Sequence, residues 1–278
     1  MGKKEPEITL GNMKLSSPIQ RTNRMSIMLW GSSGSGKTTF AATAPGKKLW
    51  INFDPDGIAA LTERDDVHVL DFAHEPNNCV MKFRKENPLG LRAFLEEHED
   101  IETVVFDSLT TFGDKALQHG IVEAQGTAKG RSATIEDPGY AGYGNKNTWT
   151  RLCVMNLLKV TGEMDRHVIF IAHEDKPVTS SEGVVLYISI MLGSSLNEQI
   201  PVVLSEIWNL TDTGKKRLLA VRNCRFKKPV KSRMFTTSGS PEFTLEYDAE
   251  TGEGEGIATW WKKWKKNGGK KLGLPNQD

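Results

Sequence analysis

Residues 25–39 read Met25-Ser26-Ile27-Met28-Leu29-Trp30-Gly31-Ser32-Ser33-Gly34-Ser35-Gly36-Lys37-Thr38-Thr39. The run from Met25 to Trp30 is mostly apolar and stops at Gly31, the pattern of a short strand buried on both faces. Gly31 to Thr38 then fits G-x-x-x-x-G-K-[ST]. A short helix is expected from Lys37 to about Ala44, closed by Pro45-Gly46. A glycine-rich turn between a buried strand and a helix lets successive backbone N–H groups point at an anion. In such a loop Lys37 reaches the outer phosphates of a nucleotide and the Thr38 hydroxyl ligates Mg²⁺. Gly31, Ser32, Ser33, Gly34, Ser35, Gly36 and Thr39 complete the cradle. The stretch therefore calls for a nucleotide with Mg²⁺.

Outward from this loop, strands are expected at Lys48–Phe53, Val67–Phe72, Glu102–Phe106 and His167–Ala172. Helices are expected near Ile58–Arg64, at Leu91–Glu97, from Thr110 to about Ala124 and from Thr148 to about Thr161. Strand-like segments follow at Pro201–Leu210, Arg217–Asn223, Arg233–Thr237 and Phe243–Tyr247. Alternation followed by strand after strand implies an α/β P-loop fold. Its mostly parallel sheet is flanked by helices and extended by C-terminal antiparallel strands. Ligands of such sheets lie at the carboxyl ends of the strands. The organisation reads as a lead segment 1–24, a core 25–250 and a basic Trp/Lys-rich tail 251–278. Gln125–Gly144, with five glycines, reads as the longest loop.

Asp107 follows the apolar Thr103-Val104-Val105-Phe106 and is placed to hold Mg²⁺ through its water shell. Ser108 comes next rather than Glu, so a carboxylate orienting the attacking water must come from elsewhere. Asp54 and Asp56 are the candidates, although Asp54-Pro55-Asp56-Gly57 also reads as a simple turn. His173 ends the strand after Asp107, beside the expected γ-phosphate, or simply caps that strand.

The chain has 278 residues and a formal net charge of +1, with 38% hydrophobic and 26% charged residues. That composition excludes collagen, coiled-coil and wholly disordered classes. No apolar run approaches the roughly 20 residues of a spanning helix, and the N-terminus lacks the apolar region of a signal peptide. Cys79, Cys153 and Cys224 are scattered and odd in number, as reduced thiols in a cytoplasm would be. The charge is uneven. Gly214–Arg233 holds nine basic residues and no acid, and 257–278 holds six lysines against Asp278. A basic C-terminal third on an otherwise acidic chain suits a polyanion-binding face, and also suits plain solvated lysines.

Cations with interleaved aromatics are what single-stranded nucleic acid requires. Lys129, Arg131, Tyr140 and Tyr143 offer this in the long loop, Lys227 and Lys228 in the basic segment. Trp260, Trp261, Lys262 and Lys263 offer it in the tail, followed by Trp264, Lys265 and Lys266. The tyrosines could instead pack the loop on itself. The tail could instead be an amphipathic element docking on a neighbour or a membrane surface, or a frayed end.

Gly31–Thr38, Val104-Val105-Phe106-Asp107-Ser108, the strand ending at His173 and Val221-Arg222-Asn223-Cys224-Arg225-Phe226 follow the order seen in RecA-like ATPases. Over about residues 25–236 the chain resembles compact phage-encoded AAA-type members of that group, some of them single-strand annealing recombinases. The resemblance implies a RecA-like core that hydrolyses ATP with Mg²⁺ and assembles into rings or filaments with nucleotide between subunits. It implies single-stranded DNA as partner, a single-strand-binding or replication protein as a further one, no membrane, and a bacterial host cytoplasm. It also implies Asp54 as the water-activating carboxylate and His173 as the γ-phosphate sensor. Gln125–Gly144 and Glu174–Gly183 match its two DNA loops in position. Arg222 or Arg225 would reach a neighbour's nucleotide, in an element that differs from its relatives by Cys224 and Lys227. Two other functions fit the loop: a nucleotide-gated assembly or helicase-loading module with slow turnover, and a small-molecule phosphotransferase.

Overall fold

A computed structural model of the chain describes residues 9–10, 13–14, 24–128, 130–224, 226–236, 238–246 and 254–275. Strands β1 (Thr9–Leu10) and β2 (Met13–Lys14) form a small antiparallel pair of their own. The main sheet takes β3 (Ser26–Gly31), β4 (Lys47–Asn52), β5 (Val67–Asp71), β6 (Ile101–Asp107) and β7 (His167–His173). A second small pair, β8 (Val178–Thr179) and β9 (Val185–Tyr187), precedes β10 (Glu206–Asp212), β11 (Arg217–Ala220) and β12 (Glu242–Thr244) of the main sheet. The order across the sheet is β12-β11-β10-β3-β7-β6-β4-β5. From β10 to β5 every pairing is parallel, and β11 and β12 are added antiparallel.

Period-two alternation sorts the side chains into two layers. Ile27 and Leu29 of β3 share one layer with Trp50, Val105, Ile169, Ile171 and Trp208. Met28 and Trp30 share the other with Ile51, Val104, Phe106 and Phe170. Each such side chain, fully buried, contributes about 1.5–3 kcal/mol. Helices α1 (Lys37–Ala41) and α6 (Ile257–Lys266) cover the first layer. Helices α2 (Leu91–Glu97), α3 (Leu109–Gln125), α4 (Gly139–Glu163) and α5 (Ser194–Val203) cover the second. No helix among the described residues is long and apolar enough to cross a membrane.

The structure departs from the sequence reading in five places. The long loop shrinks to 126–138, because α4 already begins at Gly139 and runs antiparallel to α3. Its glycines serve packing: a Cβ on Gly142 would lie 3.3 Å from Ile121 Cγ1, and one on Gly120 would lie 2.8 Å from Asn145 Cβ. The segment at 201–203 ends a helix and is not the start of a strand. Leu196 and Ile200 face the core from α5 while Val202 points to solvent. Met234 and Phe235 are buried without forming a regular strand, and the helix expected near Ile58–Arg64 is one 3₁₀ turn, Ala59–Leu61.

The fifth departure is the tail, which is no fray. Ile257, Trp260, Trp261 and Trp264 fall on one side of α6 and enter the core beside Phe40 of α1. Ala258 N donates to Thr43 O and Ile257 N to Thr43 Oγ1, so α6 is seated where the chain leaves α1.

Candidate nucleotide-binding site

The parallel register brings the carboxyl ends of β3, β4, β6 and β7 to one edge of the sheet. Gly31 pairs with His173 across β3–β7, and Asn52 pairs with Asp107 across β4–β6. The loop after β3 and the turn after β4 therefore open onto a common cleft of about 560 Å³. Lys37, Thr38, Thr39, Asp54, Asp107 and His173 all line it. Gly34 and Gly36 take φ values of 75° and 90°, the left-handed region that glycine enters without steric cost.

Lys37 is buried, and its Nζ donates to the carbonyls of Gly31 at 3.0 Å and Ser32 at 2.6 Å. Burial lowers its pKa, against the opposing pull of the Asp107, Asp54 and Glu174 carboxylates. Thr38 Oγ1 donates to Asp107 Oδ2 at 3.1 Å. Burial, with Asp54 beside it, pushes the Asp107 carboxyl up to about 7, despite the Thr38 hydrogen bond and the Lys37 charge. No cluster of three or more ligating side chains exists among the described residues. Mg²⁺ does not need one, since it binds through one or two protein oxygens together with phosphates and water. The adjacent Thr38 hydroxyl and Asp107 carboxylate are the hard oxygen pair that fits it.

Asp54 sits at the centre of a second constellation. Its Oδ2 lies 2.9 Å from His173 Nε2, and its Oδ1 accepts from Ser108 Oγ at 2.8 Å and from Thr111 Oγ1. Burial alone would raise this carboxyl, yet the hydrogen bonds from His173, Thr111 and Ser108 hold it below its ordinary value. Ser108 also caps α3 by accepting from Thr111 N, and His173 N donates to Thr110 Oγ1. The start of α3 is thus tied to both Asp54 and His173. Asp56, with φ 58°, is exposed on the rim of the cleft and outside this network.

Among the described residues a third arginine, Arg217, lines the cleft. Its guanidinium lies against Gly36. The sequence reading passed over it as one of nine cations in the basic segment, and only its place at the start of β11 singles it out. Arg222 lies beyond the far end of β11 and donates to Gly239 O, so it is not part of its own cleft. Arg225 lies outside the described residues, as does Lys129.

The other nucleic-acid candidates separate by burial. Trp260 and Trp261 are 2% and 8% exposed, which corrects their reading as a stacking platform: their rings pack on Phe40, Phe243, Trp264 and His167. Lys262 and Lys263 do face solvent, with Lys263 paired to Glu255. Tyr140 and Tyr143 are 98% and 52% exposed, on the first turns of α4 and not in a loop; Arg131 is exposed in the loop before them. Lys227 is paired with Glu242 at 2.9 Å, and Lys228 is exposed. Glu174–Gly183 is not wholly loop, since Val178–Thr179 pairs with Val185–Tyr187.

A second depression of about 460 Å³ lies between α4 and α5, lined by Met155, Ile200, Val202 and Val203 with Arg151 and Gln199. It lacks the phosphate loop and carboxylates of the first cleft. With this geometry in place, comparison with protein families shows that the AAA domain matches residues 23–244. No curated protein matches the chain.

Proposed function

The chain belongs to the AAA domain family of P-loop ATPases, and from this premise we propose that it is an oligomeric ATPase coupled to single-stranded DNA, acting in recombination, annealing or replication. The observation that carries the reading is Asp54, held by His173, Ser108 and Thr111 in the cleft that also contains Lys37 and the Thr38–Asp107 pair. ATP is the substrate, and bound Mg²⁺ supplies charge neutralisation on its outer phosphate oxygens. Lys37 and the backbone N–H groups of the loop hold the phosphate chain. Asp54 orients a water for in-line attack on the γ-phosphorus. The bond from that phosphorus to the bridging oxygen breaks, ADP leaves with the electron pair, and the proton of water ends on inorganic phosphate. His173 keeps Asp54 aimed and, through Thr110, connects the cleft to α3.

Support for a polyanion comes from α6 and the residues after it. With its tryptophans buried, the helix turns Lys262, Lys263, Lys265 and Lys266 to solvent, beside the exposed Lys270 and Lys271. Such a row suits a phosphate backbone, and the exposed Tyr140 and Tyr143 suit stacking on unpaired bases. Support for assembly comes from Arg222, whose place outside its own cleft suits a neighbour's. A single-strand-binding or replication protein is the further partner this reading expects.

The test is ATP turnover with and without single-stranded DNA at two salt concentrations, with Lys37→Ala as control. Stimulation that weakens with salt and vanishes in the variant is expected. Turnover indifferent to DNA at low salt removes the DNA part of the reading. One observation favours the slower, nucleotide-gated assembly module: both oxygens of Asp54 already accept hydrogen bonds. Oligomerisation driven by ATP, with turnover unchanged in Asp54→Asn, would select that alternative.

A further inference from the structure

We propose that Arg217 is a second phosphate-binding cation of the cleft, acting within its own subunit on the part of the nucleotide that ADP retains. The inference rests on the reading of the cleft as a nucleotide site and adds to it a residue from outside the phosphate loop.

The first ground is position. Arg217 opens β11 and pairs with Asp212, the last residue of β10, so it returns to the edge of the sheet where the phosphate loop begins. β10 presses hard on that loop: a Cβ on Gly31 would lie 2.1 Å from Leu210 O. The β10–β11 turn and the loop therefore hold a fixed relation. The guanidinium rests directly on Gly36, with Nε 3.0 Å and Cζ 3.4 Å from where a Cβ would stand.

The second ground is an unmet donor. Arg217 Nε is buried and has no hydrogen-bond partner. The nearest carboxylate oxygen, Asp212 Oδ2, is 3.7 Å away, and Asp212 Oδ1 already accepts from Gly214 N. A buried guanidinium N–H without an acceptor is costly, and a phosphate oxygen is the acceptor its planar fork fits best. Lys215 and Lys216, both exposed in the preceding turn, add positive charge to the same side.

The third ground is the direction of the phosphate chain. Across the sheet the order β11-β10-β3-β7-β6-β4 sets Arg217 on one side of the phosphate-loop strand. Asp107 and Asp54 lie on the other, with His173 beside the loop strand. With Asp54 orienting the attacking water, as the proposed function has it, the bond that breaks would face the carboxylates and Arg217 would face the phosphates that remain on ADP. Its contribution is accordingly shared by substrate and product.

The experiment is equilibrium binding of ATP and of ADP to the full chain with Mg²⁺, for the wild type, Arg217→Ala, Arg217→Lys and Asp212→Asn. A charge-assisted contact of this kind predicts that Arg217→Ala weakens both nucleotides by about tenfold to a hundredfold and by the same factor. Arg217→Lys recovers only part, because an ammonium cannot reproduce the fork. Asp212→Asn removes the competing carboxylate, keeps the guanidinium, and tightens both nucleotides. Unchanged binding in Arg217→Ala, or a loss confined to ATP, overturns the proposal. If Arg217→Ala fails to fold, Asp212→Asn decides, since weakening there marks the ion pair as purely structural. A wild-type chain that binds neither nucleotide would instead sink the reading of the cleft itself.

Discussion

His173 Nε2 and Asp54 Oδ2 stand 2.9 Å apart, although 119 residues separate them in the chain. The pairing exists because β3 and β7 are neighbours, which brings the end of β7 beside the phosphate loop, while the turn after β4 folds back toward the same point. On the proposed function His173 positions Asp54. His173→Ala should leave ATP affinity within about threefold while lowering turnover by about a hundredfold, the scale of a misaimed acid–base group. Asp54→Asn should do the same, and the double variant should be little worse than either single one, because the two act as a unit. Single-turnover kinetics beside equilibrium binding checks this. A loss confined to binding would mean that His173 serves the fold of the loop.

The tail yields a prediction in which stability and binding part company. Trp260 lies 5.2 Å from Phe235, 5.6 Å from Phe40 and 5.6 Å from Phe243 between ring centroids. Trp260→Ala should therefore cost about 3–5 kcal/mol in urea unfolding. Replacing the exposed Lys262, Lys266, Lys270 and Lys271 by alanine should change stability by only about 0.5 kcal/mol per site. If this face meets single-stranded DNA, each lost contact should also flatten the salt dependence of binding by about 0.7 in the logarithmic slope. Titration at several salt concentrations measures that slope, and an unaltered slope would assign these lysines to solvation alone.

The contrast between Lys37 and Trp260 shows what the sequence makes legible. The phosphate loop and Asp107 are local: a both-faces-buried strand, then the residues the chemistry needs, all within one short window. The parallel sheet followed from the same alternation. Trp260 was misread because tryptophans among lysines also describe a stacking surface, yet the i, i+3, i+4, i+7 spacing of Ile257, Trp260, Trp261 and Trp264 already carried a helical apolar face. Gly139, Gly142 and Gly144 hid the start of α4, since helix breakers and close-packing glycines look alike without the partner helix in view. Arg217 was invisible as a site residue for a further reason. Its relation to Gly36 arises from the β10–β11 return, a long-range pairing that no local window contains.

Two buried groups near the opposite edge of the sheet make opposite demands on pH. Burial, reinforced by Lys265 and Arg24, lowers His167 to about 4, and its Nδ1 accepts from Met25 N. A depressed folded pKa means stability present above the unfolded value of about 6.5 and lost as pH falls through 4. Glu206, fully buried, is pushed up to about 7 despite hydrogen bonds from Ser232, Arg233 and Trp208. Its contribution is present below about 4.3 and lost as pH rises through 7. Each amounts to ~3 kcal/mol across its window, so in the wild type the two largely offset between pH 4.5 and 6.5. Single variants should expose them. His167→Gln should lose stability as pH rises over that range, and Glu206→Gln should gain it. Urea unfolding at half-unit pH steps reads both slopes, and parallel slopes in the two variants would contradict the assignment.

Gly120 and Gly144 provide an internal comparison on the α3–α4 pair. Helix propensity alone says that alanine should stabilise either position by up to about 1 kcal/mol. At Gly144 a Cβ would meet nothing within 4 Å, so Gly144→Ala should show that gain. At Gly120 the new carbon would stand 2.8 Å from Asn145 Cβ and 3.3 Å from Gly142 O. Backbone and Cβ atoms of a packed helix cannot step aside as the end of a flexible side chain does, so α3 and α4 must separate. Overpacking of this kind costs about 1–3 kcal/mol and outweighs the propensity gain. Gly120→Ala should therefore lower the denaturation midpoint while Gly144→Ala raises it. Equal gains in both would mean that the two helices are not held at the distance the glycines allow, and that Tyr140 and Tyr143 are carried on a looser arm.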